Sequence, residues 1–362
     1  MITCRLSLRW QKTVKVSNQF NVKCLQSVPA KALLFGEYGL LKGGSAAVVL
    51  LPNFKVQVQF ALSRAVALEP SCTLRSGFLE SDVILFGNML QRSDVSQLTG
   101  EQRNFYCYLS QYLNELVDST FLAEITKAYS PAYGFGSSSA IQAAFHLFFQ
   151  TRASAQKIHF AELGSDFWKR VYASLKLLQG QGSGYDVASQ IYGALLDSFE
   201  EPLLVSFKDL AKARESENHD FLPQIAPLKD IDLKKFGCFV ETGIRSDTRA
   251  VLKSQHTRNL DNSFFDLQTR FASAFIAEPH FNTAAELCRA SSEISLQYGL
   301  LPQTPELLRF TSLCTQLHFP WKTMGAGFGD CLWVMASRDE ISQLLQDPGM
   351  SGLRIRFAFE DV

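Results

Sequence analysis

Apolar and polar residues alternate with a period of two along three stretches of the chain. The stretches are residues 14–24, Phe54–Leu62 after a Pro52-Asn53 turn, and Leu353–Phe359. This period is typical of half-buried β-strands. Two short apolar runs, Phe236–Glu241 and Leu332–Ala336, are also predicted to form strands.

Other stretches repeat their apolar residues every three or four positions, which predicts amphipathic helices. The predicted helices are Asn104–Val117, Ser137–Gln150, Phe167–Leu178, Thr248–His256, Ser263–Ala277, Thr283–Tyr298 and Pro305–Leu317. A charged stretch with three prolines, Glu200–Asp232, is predicted to be a connecting region. Strands and helices are mixed without regular βαβ alternation, so the sequence predicts an α+β fold rather than a doubly wound sheet.

Length and charge narrow the range of functions. The chain has 362 residues, which suits two domains or one large domain. Lys and Arg number 35, as do Asp and Glu, so the net charge is zero. A protein that follows a phosphate backbone usually carries a basic excess, so nucleic acid is not expected as the main partner. No apolar run reaches the roughly 18 residues of a membrane span, so no membrane partner is expected either.

Cysteine spacing and the first residues bear on localisation. None of the 8 cysteines stands at Cys-x-x-Cys spacing, and no His lies close enough to build a zinc knuckle. Buried, reduced thiols in a cytoplasmic protein are therefore expected.

Residues 1–36 are basic and contain no acid, as in a transit peptide. The alternation over residues 14–24 instead favours a folded strand.

The most informative segment is Tyr133–Ala140, which runs into the predicted helix Ser137–Gln150. Glycines allow a backbone to approach a ligand closely, and the free N–H groups of a helix start attract anions. The serines can add hydrogen bonds or reach a Mg²⁺ ion. The segment is therefore a candidate phosphate-binding loop, although an ordinary helix start has the same composition. It is not a Walker A loop, because Gly-x-x-x-x-Gly-Lys-Ser/Thr occurs nowhere in the chain.

Three further segments combine glycines with charged residues. They are Pro29–Tyr38 with Lys31 and Glu37, Gln181–Ala188 with Asp186, and Met324–Cys331 with three alternate glycines. Each one alone also fits an ordinary element: a strand and hairpin, a helix cap, and a tight turn before a strand.

Taken together, and in their order along the chain, the four segments resemble the motifs of the GHMP kinases. This is the family of galactokinase, homoserine kinase, mevalonate kinase and phosphomevalonate kinase. The resemblance covers residues 28–336. Residues 29–38 are similar to the family's Pro-Gly-Lys and Gly-Glu motif, residues 134–140 to its Gly-Leu-Gly-Ser-Ser loop, and residues 325–329 to its Gly-Ala-Gly-x-Gly motif. Residues 241–248 are similar to a Thr-Gly…Ser-Thr segment of the mevalonate-pathway members.

Several details resemble the phosphomevalonate kinases in particular. Tyr38 stands where mevalonate kinases usually have His, and Leu175 where they tend to carry a metal-binding Glu. Residues 182–188 are similar to the Gly-Ser-Gly-Phe-Asp-Val-Ala of phosphomevalonate kinases, and residues 327–331 to their Gly-Gly-Gly-Asp-Cys. The chain departs from the family at Ala30, Phe135 and Phe328, which are bulkier than the usual residues. The resemblance implies an ATP-dependent small-molecule kinase of the isoprenoid mevalonate pathway that converts phosphomevalonate to diphosphomevalonate. The alternatives are a mevalonate kinase or another small-molecule kinase of the GHMP family.

The resemblance also implies an architecture and a set of site residues. An N-terminal, ribosomal-protein-like βαβ lobe would span residues 1–205 and bind ATP, and a ferredoxin-like lobe would span residues 206–362. Lys31 and Asp186 would be catalytic, with Asp186 either taking a proton or orienting Lys31. The residues expected to bind ATP are Gly134, Phe135, Gly136, Ser137, Ser138 and Ser139, with Ser138 also binding Mg²⁺. The residues expected to bind the small-molecule substrate are Glu37, Tyr38, Ser183, Gly184, Arg245, Gly325, Ala326 and Gly327. A catalytically silent nucleotide sensor and a nucleic-acid-binding module on the same fold are the rival functions.

Overall fold

The computed structural model describes most of the chain. The described residues are 22–63, 71–77, 81–86, 89, 98–116, 119–130, 133–152, 158–179, 183–197, 199–208, 222–229, 231–244, 260–325 and 330–361.

The first sheet is built around one long strand, β2, which runs over Ser45–Ser63. The other strands of this sheet are β1 (Val22–Phe35), β3 (Ser71–Ser76), β4 (Val83–Phe86), β5 (Thr120–Lys127), β6 (Leu203–Lys208) and β7 (Gln224–Pro227). Their order is β4-β3-β5-β2-β6-β7, and β1 also pairs with β2. All the pairings are antiparallel except that of β3 with β5.

The second sheet has four antiparallel strands in the order β11-β8-β10-β9. They are β8 (Cys238–Glu241), β9 (Trp321–Thr323), β10 (Cys331–Val334) and β11 (Arg354–Ala358). The central strands β8 and β10 are almost wholly buried, which accounts for their uninterrupted apolar sequences.

Nine α-helices accompany the sheets in the part of the chain that the structure describes. They are α1 (Gly100–Leu109), α2 (Leu113–Leu116), α3 (Ser137–Thr151), α4 (Ser165–Gln179), α5 (Tyr185–Ala194), α6 (Asn262–Ala277), α7 (Phe281–Gln297), α8 (Pro305–Gln316) and α9 (Arg338–Leu344). None of the helices described is both long and apolar enough to cross a bilayer.

One hydrophobic core extends over both sheets, and a second, smaller core lies on the other face of the second sheet. Phe35 at the end of β1 lies 4.9 Å from Phe275 of α6 and 5.5 Å from Trp333 of β10, measured between ring centroids. Helices α3 and α5 pack against each other and against β1. The first turns of both helices therefore lie beside β1, and so do the motifs that precede them.

The α+β class is confirmed, and most predicted elements lie within a few residues of the observed ones. The predicted helix Asn104–Val117 is wrong in extent, because the chain turns between Leu109 and Tyr112 and separates α1 from α2. Helix α1 also begins earlier, at a capping box formed by Thr99 and Gln102. The predicted helix Thr248–His256 lies outside the described residues, as does the start of the predicted strand 14–24.

Two predictions about prolines need correction. The chain does not turn at Pro52-Asn53; β2 continues through both residues, and its pairing with β1 shifts from Leu51 to Lys55. The stretch Glu200–Asp232 is not only a connection, because it contributes β6 and β7 to the first sheet. Proline is tolerated in β7 because this is an edge strand, where a missing N–H costs no ladder hydrogen bond. The predicted division of the chain near residue 205 stays a prediction.

Candidate active site

The two residues expected to be catalytic meet in space although 155 positions separate them. Lys31 lies in β1, and its ammonium group forms an ion pair with the carboxylate of Asp186 in the first turn of α5. The same ammonium group donates a hydrogen bond of 3.0 Å to the hydroxyl oxygen of Tyr185. The side chain of Lys31 is 7% exposed and that of Asp186 is 27% exposed, so the pair opens to solvent on the Asp186 side.

The environment keeps Lys31 charged. Burial alone disfavours the ammonium form, but the Asp186 carboxylate and the Tyr185 side chain outweigh it and raise the pKa of Lys31. A buried cation beside one carboxylate is suited to stabilising negative charge that develops on a ligand.

The Gly134–Ser139 turn lies directly against Lys31. The carbonyl oxygen of Phe135 accepts a 3.0 Å hydrogen bond from the backbone N–H of Lys31 and a 2.9 Å hydrogen bond from the Tyr129 hydroxyl. Gly136 has a φ of +76°, and a Cβ atom there would lie 2.7 Å from Cε of Lys31. Only glycine therefore fits between the turn and the lysine side chain.

Gln190 connects the Gly134–Ser139 turn to β1 through hydrogen bonds. It is not among the site residues predicted from the sequence. Its side-chain N–H group donates to the carbonyl oxygen of Gly136 and to that of Pro29, both at 3.0 Å. Gln190 is buried and stands one helical turn after Asp186, on the same face of α5. That spacing is the signal that could have indicated it.

The three serines at the start of α3 differ in exposure. Ser139 is buried and donates to the carbonyl oxygen of Gly136, Ser137 is half-buried, and Ser138 is exposed. The N-cap residue is Gly136, so no side chain caps the helix, and its first turn contains no acidic residue. An uncapped helix start beside a lysine favours an anionic ligand such as a phosphate group. The Phe135 side chain points away into the core, where its ring lies 5.5 Å from that of Phe239.

The second sheet reaches the same turn through Asp330. A Cβ atom on Gly134 would lie 2.8 Å from Cβ of Asp330. The carbonyl oxygen of Asp330 accepts hydrogen bonds from the backbone N–H and the hydroxyl group of Thr242, at 2.8 and 3.0 Å. The thiol of Cys331 donates to the carbonyl oxygen of Tyr133 at 3.3 Å. The segments Tyr133–Ala140 and Met324–Cys331 are thus in contact.

Two residues expected to bind substrate are buried at the junction of the sheets. Glu37 forms an ion pair with Lys322 of β9. The ring of Tyr38 packs edge-on against Phe264 of α6, with 5.1 Å between the ring centroids. Both residues contact protein on these sides, and their roles toward substrate stay predictions.

The other expected site residues divide into two groups. Ser183 and Gly184 are buried immediately before α5, and Gly325 is half-buried just after β9. Arg245, Ala326 and Gly327 lie outside the described residues. In the described ranges, no three His, Cys, Asp or Glu side chains are grouped so that they could hold a metal ion. Leu175 is buried.

Solved structures resemble the chain over nearly its whole length, although no protein-family model and no curated protein match its sequence. Methanococcus jannaschii mevalonate kinase is 16% identical, with 92% of this chain and 97% of that chain covered and a TM-score of 0.63. Streptococcus pneumoniae phosphomevalonate kinase in complex with phosphomevalonate and AMPPNP is 16% identical, with coverages of 92% and 98% and a TM-score of 0.64. Lactococcus lactis galactokinase complexed with galactose is 13% identical, with coverages of 91% and 92% and a TM-score of 0.58.

At these identities the likeness shows the fold. The chain has the two-lobed α+β fold of the GHMP kinases, which confirms the resemblance drawn from its motifs.

Proposed function

We propose that the chain is an ATP-dependent small-molecule kinase that converts phosphomevalonate to diphosphomevalonate. The observation that carries the proposal is the Lys31–Asp186 ion pair beside the glycine turn that begins α3. A cation and an uncapped helix start, side by side, form a place for a phosphate group that is to be transferred.

Phosphoryl transfer needs mainly positioning and the stabilisation of charge. The backbone N–H groups of Gly134–Ser139 would hold the phosphate groups of ATP. Lys31 would lie next to the transferred phosphoryl group and offset the negative charge that grows there in the transition state. Because its pKa is raised, Lys31 keeps its charge at any pH at which the protein is assayed.

Asp186 would act through Lys31. A phosphate acceptor is already largely ionised near neutral pH, so its oxygen needs no strong base. The ion pair supports a role in which Asp186 orients the ammonium group. With mevalonate, whose acceptor is a hydroxyl group, the same carboxylate would have to take a proton.

The residues present fit a magnesium ion with few protein ligands. Ser138 offers an exposed hydroxyl oxygen at the helix start, and Mg²⁺ prefers oxygen ligands. When bound, Mg²⁺ would neutralise part of the charge of the triphosphate. The apolar Leu175 offers no ligand at the position where mevalonate kinases tend to have Glu, so water would complete the coordination.

We propose phosphomevalonate rather than mevalonate as the acceptor because three features resemble the phosphomevalonate kinases. They are Tyr38, Leu175 and the Asp330-Cys331 ending of the segment Met324–Cys331. Arg245 and Arg249 are proposed to bind the substrate's own phosphate, because guanidinium groups match phosphate oxygens. The S. pneumoniae phosphomevalonate kinase with phosphomevalonate and AMPPNP is an example of this fold holding both ligand types.

A coupled ADP-release assay with Mg²⁺-ATP tests the proposal. The acceptors are mevalonate, phosphomevalonate, homoserine and galactose, and Lys31→Met is the control for contaminating kinases. We expect kcat/KM for phosphomevalonate to exceed that for mevalonate at least about tenfold, or roughly 1.4 kcal/mol. A preference for mevalonate would overturn the choice of acceptor but leave the kinase standing. Nucleotide binding by calorimetry without ADP release on any acceptor would instead support the silent sensor.

A further inference from the structure

Tyr185 is the third member of the charged cluster at the candidate active site. Its hydroxyl oxygen accepts the 3.0 Å hydrogen bond from the Lys31 ammonium group, and that group also lies 4.8 Å from the centroid of the Tyr185 ring. The ring also packs edge-on against Phe207 of β6, with 6.3 Å between the centroids. Lys31 therefore contacts both the hydroxyl group and the ring of one rigid side chain.

The Tyr185 hydroxyl group keeps its proton. Burial and the nearby Asp186 carboxylate raise the pKa of Tyr185, so the phenol stays neutral. Its oxygen accepts the hydrogen bond from Lys31. The Lys31 ammonium group thus has two partners at the start of α5: the hydroxyl oxygen of Tyr185 through a hydrogen bond, and the Asp186 carboxylate through an ion pair.

This hydroxyl group is a feature of the present chain. The phosphomevalonate kinase motif that residues 182–188 resemble has Phe at the place of Tyr185. A Phe would keep the ring but would remove the acceptor for the ammonium group.

We propose that Tyr185 is a positioning residue, whose hydroxyl group fixes the direction of the Lys31 ammonium group during phosphoryl transfer. An ammonium group has three donors. Among the described residues, Asp186 and Tyr185 take two of them, which leaves one for a ligand at the glycine turn. Gly136 lies beside Cε of Lys31, so the ammonium group is next to the phosphate-binding turn. This inference rests on the proposed kinase function.

The kinetic test compares Tyr185→Phe with Tyr112→Phe. Tyr112 is buried, and its hydroxyl group is bonded to His146 at 2.7 Å, remote from the glycine turn along α3. Both variants lose one hydrogen-bonded hydroxyl group, so their melting temperatures should fall by similar amounts. We expect kcat of Tyr185→Phe to fall at least about tenfold, with both KM values within about twofold, because a hydrogen bond to a charged group is lost at the reacting centre. Tyr112→Phe should keep its kcat. An unchanged kcat in Tyr185→Phe would overturn the proposal.

A second measurement needs no catalytic activity. Amine labelling by reductive methylation, read residue by residue by mass spectrometry, reports the freedom of each lysine. Lys31 in Tyr185→Phe should react at least about fivefold faster than in the unaltered protein, because its ammonium group loses an immobilising partner. Lys322 is equally buried, paired with Glu37, and serves as the internal control in the same sample.

The two measurements separate the failure of this inference from the failure of the proposed function. If no acceptor yields ADP, the kinase proposal fails, while faster labelling of Lys31 alone would still support the positioning by Tyr185. If Lys31 is labelled at an unchanged rate, or if Lys322 accelerates equally, the hydroxyl group does not hold Lys31 and the inference is overturned.

Discussion

Glu37 and Lys322 form a buried ion pair that joins the two sheets across 285 positions of sequence. Glu37 follows β1, which carries Lys31, and Lys322 lies in β9, three residues before Gly325. Only 7% and 4% of the two side chains are exposed, and Lys322 also donates to the carbonyl oxygen of Thr323 at 2.8 Å. The pair therefore connects the segment Pro29–Tyr38 to strand β9, which leads into the segment Met324–Cys331.

Removing both partners of this pair should cost clearly less stability than the two single changes added together. Lys322→Met leaves a buried carboxylate without its cation, which costs about 3–5 kcal/mol of unfolding free energy. Glu37→Gln should cost a similar amount, and the double variant should cost clearly less than the sum of the two. Urea unfolding of the four proteins measures this coupling.

An exposed ion pair is the matched control for this cycle. Arg309 and Asp347 also pair, but 58% of the arginine side chain is exposed, so Arg309→Met should cost less than about 1 kcal/mol. Additive costs for Glu37 and Lys322 would contradict the coupling. A raised KM for the acceptor in Glu37→Gln, measured well below its melting temperature, would support the predicted substrate contact of Glu37 instead.

His146 should make the protein sensitive to acid. It is fully buried in α3, and burial, with a smaller effect of Arg170, lowers its pKa from 6.5 to about 3. The unfolded chain therefore binds a proton between these two values when the folded protein does not, and stability falls as the pH drops below about 6.5. At pH 5 the loss from this group is about 2 kcal/mol relative to pH 8. Urea unfolding at both pH values measures it.

His146→Gln removes this titrating group and should reduce the acid loss by about that amount. His280→Gln is the control for the substitution itself, because His280 is exposed at the start of α7. The explanation fails if His146→Gln and the unaltered protein lose the same free energy between pH 8 and pH 5.

The sequence was most informative where the chemistry is local. The glycines and serines of residues 134–139 indicate a helix start that can face an anion, and the structure has such a turn there. The catalytic roles of Lys31 and Asp186 follow only from the family resemblance, because no local pattern requires two residues 155 positions apart to meet. The exposed edge strand β7 was missed because Pro223 just before it and Pro227 at its end are also typical of a loop.

Residues that act through a distant partner could not be predicted. Lys322 carries no local signal, since it is one polar residue in a short buried strand and its partner lies in another sheet. Tyr185 was visible only as a departure from Phe, and nothing in the sequence showed that its hydroxyl group reaches Lys31. Gln190 had a weak signal, its spacing of four from Asp186, but one such spacing fits any helix face.

Ser138→Ala should impair catalysis without unfolding the protein. Ser138 is exposed and makes no cap, so the melting temperature should change little. The loss of the proposed metal ligand should lower kcat/KM at least about tenfold and raise the Mg²⁺ concentration needed for half-maximal rate. Ser263→Ala is the control, because Ser263 is likewise exposed at the second position of its helix, α6, although its hydroxyl group also donates to the N-cap residue Asp261 at 2.6 Å. Equal activity in the two variants would remove Ser138 from the metal site.

The last prediction concerns the Lys31–Asp186 pair itself. Lys31→Met should remove stabilisation that exists mainly in the transition state, so kcat should fall about 10²–10³-fold, or roughly 3–4 kcal/mol. The affinity for ATP should barely change, because the backbone of Gly134–Ser139 holds the phosphate groups in the ground state. Asp186→Asn should also lower kcat, because the ammonium group loses the carboxylate that orients it. The double variant should be far less damaged than the product of the singles, since the two residues act as one unit.

The two single variants, Lys31→Met and Asp186→Asn, should rank differently in stability and in activity. This difference tests the geometry of the ion pair. Asp186→Asn leaves the ammonium group of Lys31 buried with only 7% of its side chain exposed, whereas Lys31→Met leaves a carboxylate that is 27% exposed to water. An unpaired buried charge is the more costly of the two. Asp186→Asn should therefore lower the melting temperature more than Lys31→Met, although Lys31→Met should lower kcat more. If both variants kept their kcat and each lost about 1 kcal/mol of stability or less, Lys31 would be an ordinary strand residue and Asp186 an ordinary first-turn residue of α5.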